Sequence, residues 1–266
     1  MPLPSCSIIT PALNALATLP TALESVRSQD GVAVEHIVVD GGSHDGTVGL
    51  LERTAGVRWI SEPDRGLADA VNKGIRMASG DLIGWLNADD LYRPGALMAV
   101  AQAFGEGEPA MWGFGRCGII GADDREIRGP VTAYKNMLLR RYSFALHLTQ
   151  NFVSAPATFV RREAFAQVGL FDEQFEYSMD YDLWLRLGRR WKPLFIDAEL
   201  AAFRMVEGTL SMTGFERQFA EHERNARVHG SGHRLPVAAN VLMSRTIPLV
   251  YRGMRFLRTR RGGAAN

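Results

Sequence analysis

The first 105 residues alternate short apolar runs with amphipathic stretches of helical period, and this alternation restricts the fold more than any other feature of the chain. The runs "SCSIIT" (5–10), "EHIVVD" (35–40), "VRWI" (57–60) and "DLIGWL" (81–86) have the length and composition of buried strands. Between them, residues 17–29, 46–55 and 67–78 read as helices, with Leu19, Leu23 and Val26 on one face of the first. Thr18 is placed to cap the first helix, and Ser43 or Asp45 the second. Strands joined by helices of this length form βαβ units. The expected fold class is therefore α/β, with a mostly parallel central sheet, right-handed crossovers and flanking helices. A length of 266 residues suits one such domain, or one with an appendage.

The middle of the chain is less regular. Residues 110–129 read as a strand pair around the turn Ala122-Asp123-Asp124, and 133–141 as a short helix. "APATFVRR" (155–162) is a short strand followed by a helix over 162–168, and "MDYDLWLRLGRR" (179–190) is a helix. "PLFID" and "LAAFRMV" are two further strands. From Thr213 onward the chain reads as helical, with Thr213 and Glu216 at capping-box spacing and a break at Gly230–Gly232. This divides the chain into a domain over 1–210, with halves 1–105 and 106–210, and a helical extension over 211–266.

Hydrophobic content of 46%, charged content of 22% and a net charge of +1 describe an ordinary globular chain and give no argument for nucleic acid as a partner. Two cysteines, Cys6 and Cys117, fit neither a disulfide framework nor a zinc site, and Cys6 lies in a core strand. The start lacks a basic n-region and a long apolar run, and no apolar stretch approaches the roughly 20 residues of a membrane span, so a cytoplasmic setting is expected. The last stretch carries Arg245, Arg252, Arg255, Arg258, Arg260 and Arg261 with no acid, interleaved with Ile247, Leu249, Met254 and Phe256. Such a segment either lies on an anionic membrane, at the inner face of the cell membrane, or packs on the domain or on the partner of a homodimer.

Open parallel sheets bind ligands at the carboxyl ends of their strands. Here those ends carry Thr10, Asp40 and the turn Asn87-Ala88-Asp89-Asp90 in "GWLNADDLYRPG". Each, taken alone, reads equally as a helix cap. The first turn, "TPALNAL", has no glycine, so neither a dinucleotide fingerprint nor a phosphate-binding P-loop is present. Nucleotide phosphates would then need another means of neutralisation. Paired carboxylates holding Mg2+ or Mn2+ supply one.

The segments "SIITPALNALATLPTALESVRSQ", "EHIVVDGGSHDGT", "EPDRGLADAVNKGIRMASGDLIGWLNADD" and "MDYDLWLRL" together resemble the inverting family 2 glycosyltransferases, which have a GT-A fold, and within them the bacterial surface-polysaccharide type. The resemblance spans roughly residues 5–190. It implies a nucleotide-sugar-binding half (1–105) and an acceptor half (106–210). The donor would be a UDP-, GDP- or dTDP-sugar, and the acceptor a glycan or polyprenyl-linked hydroxyl. Thr10, Pro11 and Asn14 would line the nucleoside pocket, with Asp40 on the base or ribose. Asp69 and Asn72 would approach the nucleotide from the third helix. Asn87-Ala88-Asp89 occupies the family's D-x-D position, with Asp89 as metal ligand and Asp90 near the donor sugar or orienting the turn. Asn87 departs from the pattern and leaves the turn one negative charge short, which implies weaker metal affinity in the absence of donor.

Asp180 falls at the family's catalytic base. In the helix 179–190 it shares an i, i+3, i+4, i+7 stripe with Leu183, Trp184 and Leu187, so it faces inward from the first turn. Burial raises its pKa and the helix N-terminus lowers it. An inward carboxylate there either accepts a proton from an acceptor hydroxyl or makes a structural hydrogen bond. Asp182, two residues on, points elsewhere and reads as exposed or supporting. His222 reads as packed, with an approach to the diphosphate as the alternative. Arg204 and Ser211 read as a loop or a flap over the pyrophosphate. Arg161 and Arg162 read as a solvated helix start or a phosphate contact, and Trp112 as core or a sugar platform. A non-catalytic nucleotide-sugar-binding or assembly subunit is the competing function; it would bind donor without turnover.

Overall fold

The computed structural model describes residues 2–106, 109–206 and 214–262, with side chains as far as 249. The expected opening order holds: β1 (Cys6–Ala12), α1 (Leu19–Arg27), β2 (Val34–Asp40), α2 (Thr47–Arg53), β3 (Val57–Ser61), α3 (Leu67–Met77) and β4 (Leu82–Trp85). The chain continues through β5 (Leu91–Tyr92), α4 (Ala96–Gly105), β6 (Trp112–Ile120), α5 (Gly129–Leu139) and α6 (Phe144–Thr149). Then come β7 (Thr158–Arg161), α7 (Phe165–Val168), α8 (Met179–Arg190), β8 (Leu194–Arg204), α9 (Phe215–His229) and α10 (Arg234–Gly262).

The strands form one sheet in the order β3-β2-β1-β4-β7-β6-β8-β5. Pairings β1–β2, β1–β4, β2–β3 and β6–β8 are parallel; β4–β7, β6–β7 and β5–β8 are antiparallel. The two antiparallel steps through β7 bring β6 and β8 back to the direction of β4. Ala12, Asp40, Trp85, Ile120 and Arg204 therefore end their strands at one edge of the sheet. The strand order reverses between β1 and β4, which is where an α/β sheet opens a crevice for a ligand.

Both faces of the sheet are covered, and the strands alternate between them. Ile8 and Leu82 pack with Val26, Leu97 and Val100 on one side. Their neighbours Ile9 and Ile83 pack with Val71, Ile75, Leu183 and Trp184 on the other. Gly84 lets β4 sit tight: a Cβ there would meet the Phe159 ring and the Tyr92 hydroxyl, each at 2.8 Å.

Several local expectations change. "PLFID" and "LAAFRMV" are one continuous strand, β8, whose register against β6 shifts on either side of Arg116. The expected strand pair over 110–129 reduces to a turn, closed by Gly121 N–H donating to Arg125 O at 2.9 Å and one bridge between Ile120 and Glu126. β6 is buried along almost its whole length and takes β7 and β8 as partners; the polar return "DDREIR" has no apolar alternation with which to compete. α5 starts four residues early, at Gly129, with Pro130 in the first turn, where a missing N–H leaves no bond unmade. Thr18 occupies the N-cap of α1 without a side-chain bond. Asp45 serves α2, accepting the Thr47 N–H at 3.0 Å. Thr213 and Ser211 lie outside the described residues.

Candidate active site

At the carboxyl edge of the sheet lies a cleft of about 1640 Å³, lined from both halves of the chain. Its first wall is the loop after β1, which is tied to the loop after β2. The Asn14 backbone N–H donates to Ser43 Oγ at 2.7 Å, and His44 N–H returns to Asn14 Oδ1 at 3.0 Å. Asn14 adopts φ 50°, a left-handed conformation that asparagine tolerates better than most residues. Beneath, Asp40 is fully buried and accepts from Ser61 Oγ at 2.7 Å, from the Ser43 hydroxyl, and from the Ser43 and Gly42 N–H groups. Burial pushes its carboxyl up, but these four donors prevail and hold it below the ordinary carboxylate range.

The second wall is the turn after β4. Asn87 Oδ1 accepts from Trp85 Nε1 at 2.8 Å, and Asn87 Nδ2 donates to Asp90 Oδ2 at 3.0 Å. The other Asp90 oxygen accepts the Arg204 N–H at 2.9 Å. Asp90 is thus fully buried with both oxygens engaged; burial and the adjacent Asp89 charge push its pKa well up. Asp89 is half-buried and faces the cleft, and burial raises its pKa while Arg204 opposes the rise. Arg204 is only 7% exposed. Its Nε donates to the Asp89 carbonyl at 2.8 Å and its Nη1 to the Gly121 carbonyl at 2.9 Å, and it pairs with Asp124. The arginine expected as a loop or flap is therefore a brace between two turns.

The third wall is the amino-terminal turn of α8. Asp180 lines the cleft and is half-buried; Asn151 Nδ2 donates to its Oδ2 at 3.1 Å and the Tyr181 N–H to its Oδ1 at 2.7 Å. Burial pushes its pKa up to about 6, against the pull of those bonds and of the Lys135 charge. Lys135, from α5, also lines the cleft and donates to Ser154 Oγ at 3.1 Å; burial lowers its pKa. His222, from α9, packs edge-on against Tyr181 and Phe219 and also reaches the cleft. Among the described residues its Nε2 has no hydrogen-bond partner, and burial holds its pKa down to about 4, so it is neutral at neutral pH. Glu221 of α9 fixes the start of α8: it accepts the Glu176, Tyr177 and Ser178 N–H groups at 3.0, 2.9 and 2.8 Å.

Of the residues expected at the site, Pro11, Asn14, Asn87, Ala88, Asp89, Asp180, Arg204 and His222 line the cleft. The rest stand behind it. Thr10 is buried with its Oγ1 3.0 Å from His36 Nε2. Asp69 pairs with Arg65, and Asn72 is spent on both backbone groups of Phe171. Asp182 is buried and holds Arg186 at 2.7 Å and His229 at 2.8 Å, which makes it a link between α8 and α9. Arg161 and Arg162 clamp the carbonyls of Ala110, Phe104 and Gly80. Trp112 is fully buried, stacked 6.0 Å from Trp184. No sequence motif singles out Lys135, Asn151 or Glu221. Only their positions in polar breaks of amphipathic helices or loops mark them, and that signal is shared by many surface residues.

Residues 7–169 match glycosyl transferase family 2. An uncharacterized glycosyltransferase of Mycobacterium tuberculosis is 33% identical over 206 residues, 75% of each chain. A PGL/p-HBAD biosynthesis glycosyltransferase of Mycobacterium bovis is 32% identical over 192 residues, 70% of each chain. Among solved structures, a mannosyltransferase from Pyrobaculum calidifontis in complex with GDP-Man and Mn2+ superposes with a TM-score of 0.64 at 18% identity, covering 96% of this chain and 81% of that one. S. aureus TarS 1-349 in complex with UDP-GlcNAc gives 0.62 at 16% identity, covering 85% and 66%. The chain spans 39% of the longer TarS chain, so only the shared domain is compared. At these identities the structural likeness speaks to the fold alone, which is GT-A. The sequence match covers more than half of the chain, and the chain belongs to glycosyltransferase family 2; it is a glycosyltransferase.

Proposed function

We propose that this enzyme moves a sugar from a nucleoside-diphosphate sugar to a hydroxyl of a glycan or lipid-linked acceptor, with inversion at the anomeric carbon, in cell-surface polysaccharide or glycolipid synthesis. One observation carries the reading. Two carboxylates that burial holds above their ordinary pKa, Asp89 from the turn after β4 and Asp180 from the first turn of α8, line one cleft. Residues 1–105 supply the donor wall, 106–210 the acceptor wall, and the extension over 211–266 closes on it through α9.

Asp180 accepts the proton of the acceptor hydroxyl. That oxygen forms the new bond to the anomeric carbon as the bond to the diphosphate oxygen breaks. A base with a pKa near 6 is mostly ionised at neutral pH and still basic enough to be useful. The donor set fits a divalent cation held mainly by substrate. Asp90 is fully buried and does not line the cleft, the Asn87 oxygen accepts the Trp85 N–H and carries no charge, and among the described residues no cluster of three His, Cys, Asp or Glu ligands converges. Asp89 would then be the carboxylate that holds Mg2+ or Mn2+ beside the donor diphosphate. When bound, the cation supplies positive charge to the departing diphosphate. Pro11 and Asn14 line the nucleoside end, with Asp40 holding the loop beneath them.

Leu235, Leu242 and Leu249 stand at seven-residue intervals on α10, exposed by 84, 64 and 63%. Among the described residues no helix is long and apolar enough to cross a membrane. This stripe, with the arginines that follow it in sequence, supports a peripheral membrane contact at the inner face of the cell membrane.

The function is tested with UDP-, GDP- and dTDP-sugars and Mn2+, reading melting temperature and release of nucleoside diphosphate. At least one donor should raise the melting temperature and be slowly hydrolysed, both only with metal. A panel without binding or turnover would overturn the donor class.

A further inference from the structure

Asp180 is held from outside its own helix, and the residue that holds it carries no role so far. Asn151 lies in the segment after α6 and lines the same cleft. Its amide nitrogen donates to Asp180 Oδ2 at 3.1 Å. Its amide oxygen lies 3.5 Å from Nε2 of His147, which is fully buried in α6.

The chemistry fixes every orientation in this chain. A carboxylate only accepts, so Asn151 must turn its NH2 toward Asp180. Its carbonyl oxygen then faces His147 and can only accept, so the imidazole proton sits on Nε2. Among the described residues His147 Nδ1 has no hydrogen-bond partner, which agrees with a bare nitrogen there. Burial keeps the ring neutral, with a pKa of about 3, so the tautomer does not change over the working pH range. Behind this, Tyr181 Oη donates to the His147 carbonyl at 2.8 Å and ties α6 to α8. Each Asp180 oxygen accepts one bond within the protein, from Asn151 and from the Tyr181 N–H, and each keeps a lone pair for a substrate.

We propose that Asn151 is the positioning residue of the transfer centre: with His147 setting its amide, it fixes the rotamer of Asp180 and aims the carboxylate into the cleft. This rests on the reading of Asp180 as base. Of the titratable groups that share the cleft, Lys135 of α5 is a cation that favours the ionised carboxylate and His222 of α9 is neutral; Asp89, Arg204, Glu176, Glu216 and Arg217 line it too. On its own helix Asp182 is committed to Arg186 and His229. Among these neighbours, Asn151 is the side chain hydrogen-bonded to the carboxylate.

The test uses the full-length protein with 13C-labelled aspartate and follows the Asp180 carboxyl by NMR titration, which needs no substrate. In the wild type it should titrate near pH 6. In Asn151→Ala the loss of a donor to the ionised form should move the midpoint up by about one pH unit. Asn151→Asp, of the same shape, guards against a folding defect; a second carboxylate there should raise the midpoint at least as far. Asn151→Gln should bring part of the shift back. A midpoint unchanged within a few tenths of a unit in both Ala and Asp variants overturns the proposal. A shifted midpoint in an enzyme whose Asp180→Asn variant keeps its kcat would leave the positioning intact and remove the base, so the two failures are distinguishable.

Discussion

The Arg204 Nε donates to the backbone carbonyl of Asp89 at 2.8 Å, while the Arg204 N–H meets Asp90 Oδ1 at 2.9 Å. One residue at the end of β8 thus holds both acids of the turn after β4, although 115 residues of chain separate it from Asp89. A third bond, to the Gly121 carbonyl, makes the turn part of a rigid three-strand edge.

Arg204→Lys keeps the charge but loses the fork that serves two carbonyls at once. It should lower stability in urea unfolding by roughly 2–3 kcal/mol, the scale of buried charge-assisted hydrogen bonds. It should also weaken metal-dependent donor binding, because Asp89 is no longer held. Reduced stability with unchanged donor affinity would show that the brace serves the fold only.

Asn87→Asp would restore the acid that the family pattern carries at this position. Here Asn87 Nδ2 faces Asp90 Oδ2 at 3.0 Å, so the new carboxylate would meet a buried one. The pair would hold a shared proton above the ordinary carboxylate range. Its penalty is therefore present at pH 7 and fades as pH falls toward 5. Urea unfolding should show a loss of about 2 kcal/mol at pH 7 and clearly less at pH 5. Equal stability at both would mean that Asn87 and Asp90 are not coupled.

Glu221→Ala removes the acceptor for three N–H groups ahead of α8 and should cost about 2 kcal/mol, the upper range for a helix cap. Because Asp180 sits in the first turn, kcat should fall more than KM changes. Thermal melts and steady-state kinetics check both. A variant with wild-type stability would show that α8 does not need this cap.

Much of this was legible in the sequence. The four opening strands, the sheet edge at which they end and the inward stripe of α8 all follow from local periodicity, which tertiary contacts here reinforce. What could not be read depends on distance along the chain. Arg204 reads as a loop residue because Asp89 and Gly121 are far from it in sequence. Asn72 looks like a ligand contact until Phe171 is seen to occupy it. Glu221 looks like a surface acid until α9 is laid across the start of α8. β8 reads as two strands because Asp197 and Glu199 interrupt its apolar run where its register against β6 shifts. The candidate site was thus legible in its cleft-facing carboxylates and illegible in the residues that hold them.

Leu235, Leu242 and Leu249 should matter for membrane contact and little for folding, since all three are exposed. Changing all three to Gln should leave the melting temperature within about 2 °C and reduce co-sedimentation with anionic vesicles several-fold, with weak binding of either protein to neutral vesicles. Equal binding of the triple variant and the wild type would remove the stripe from any membrane role.

The most direct measurement of the central claim is kcat of Asp180→Asn, compared with the wild type across pH 4.5–8.5 on the donor identified by thermal shift. The wild-type rate should rise with pH through about 6, as burial raises the carboxyl that must be ionised to act. The variant should lose a factor of roughly 100–10,000, the usual worth of a general base, while the donor still raises its melting temperature as in the wild type. A variant that keeps its rate within a few-fold, or an unchanged acid limb, would contradict the assignment of Asp180 as the base.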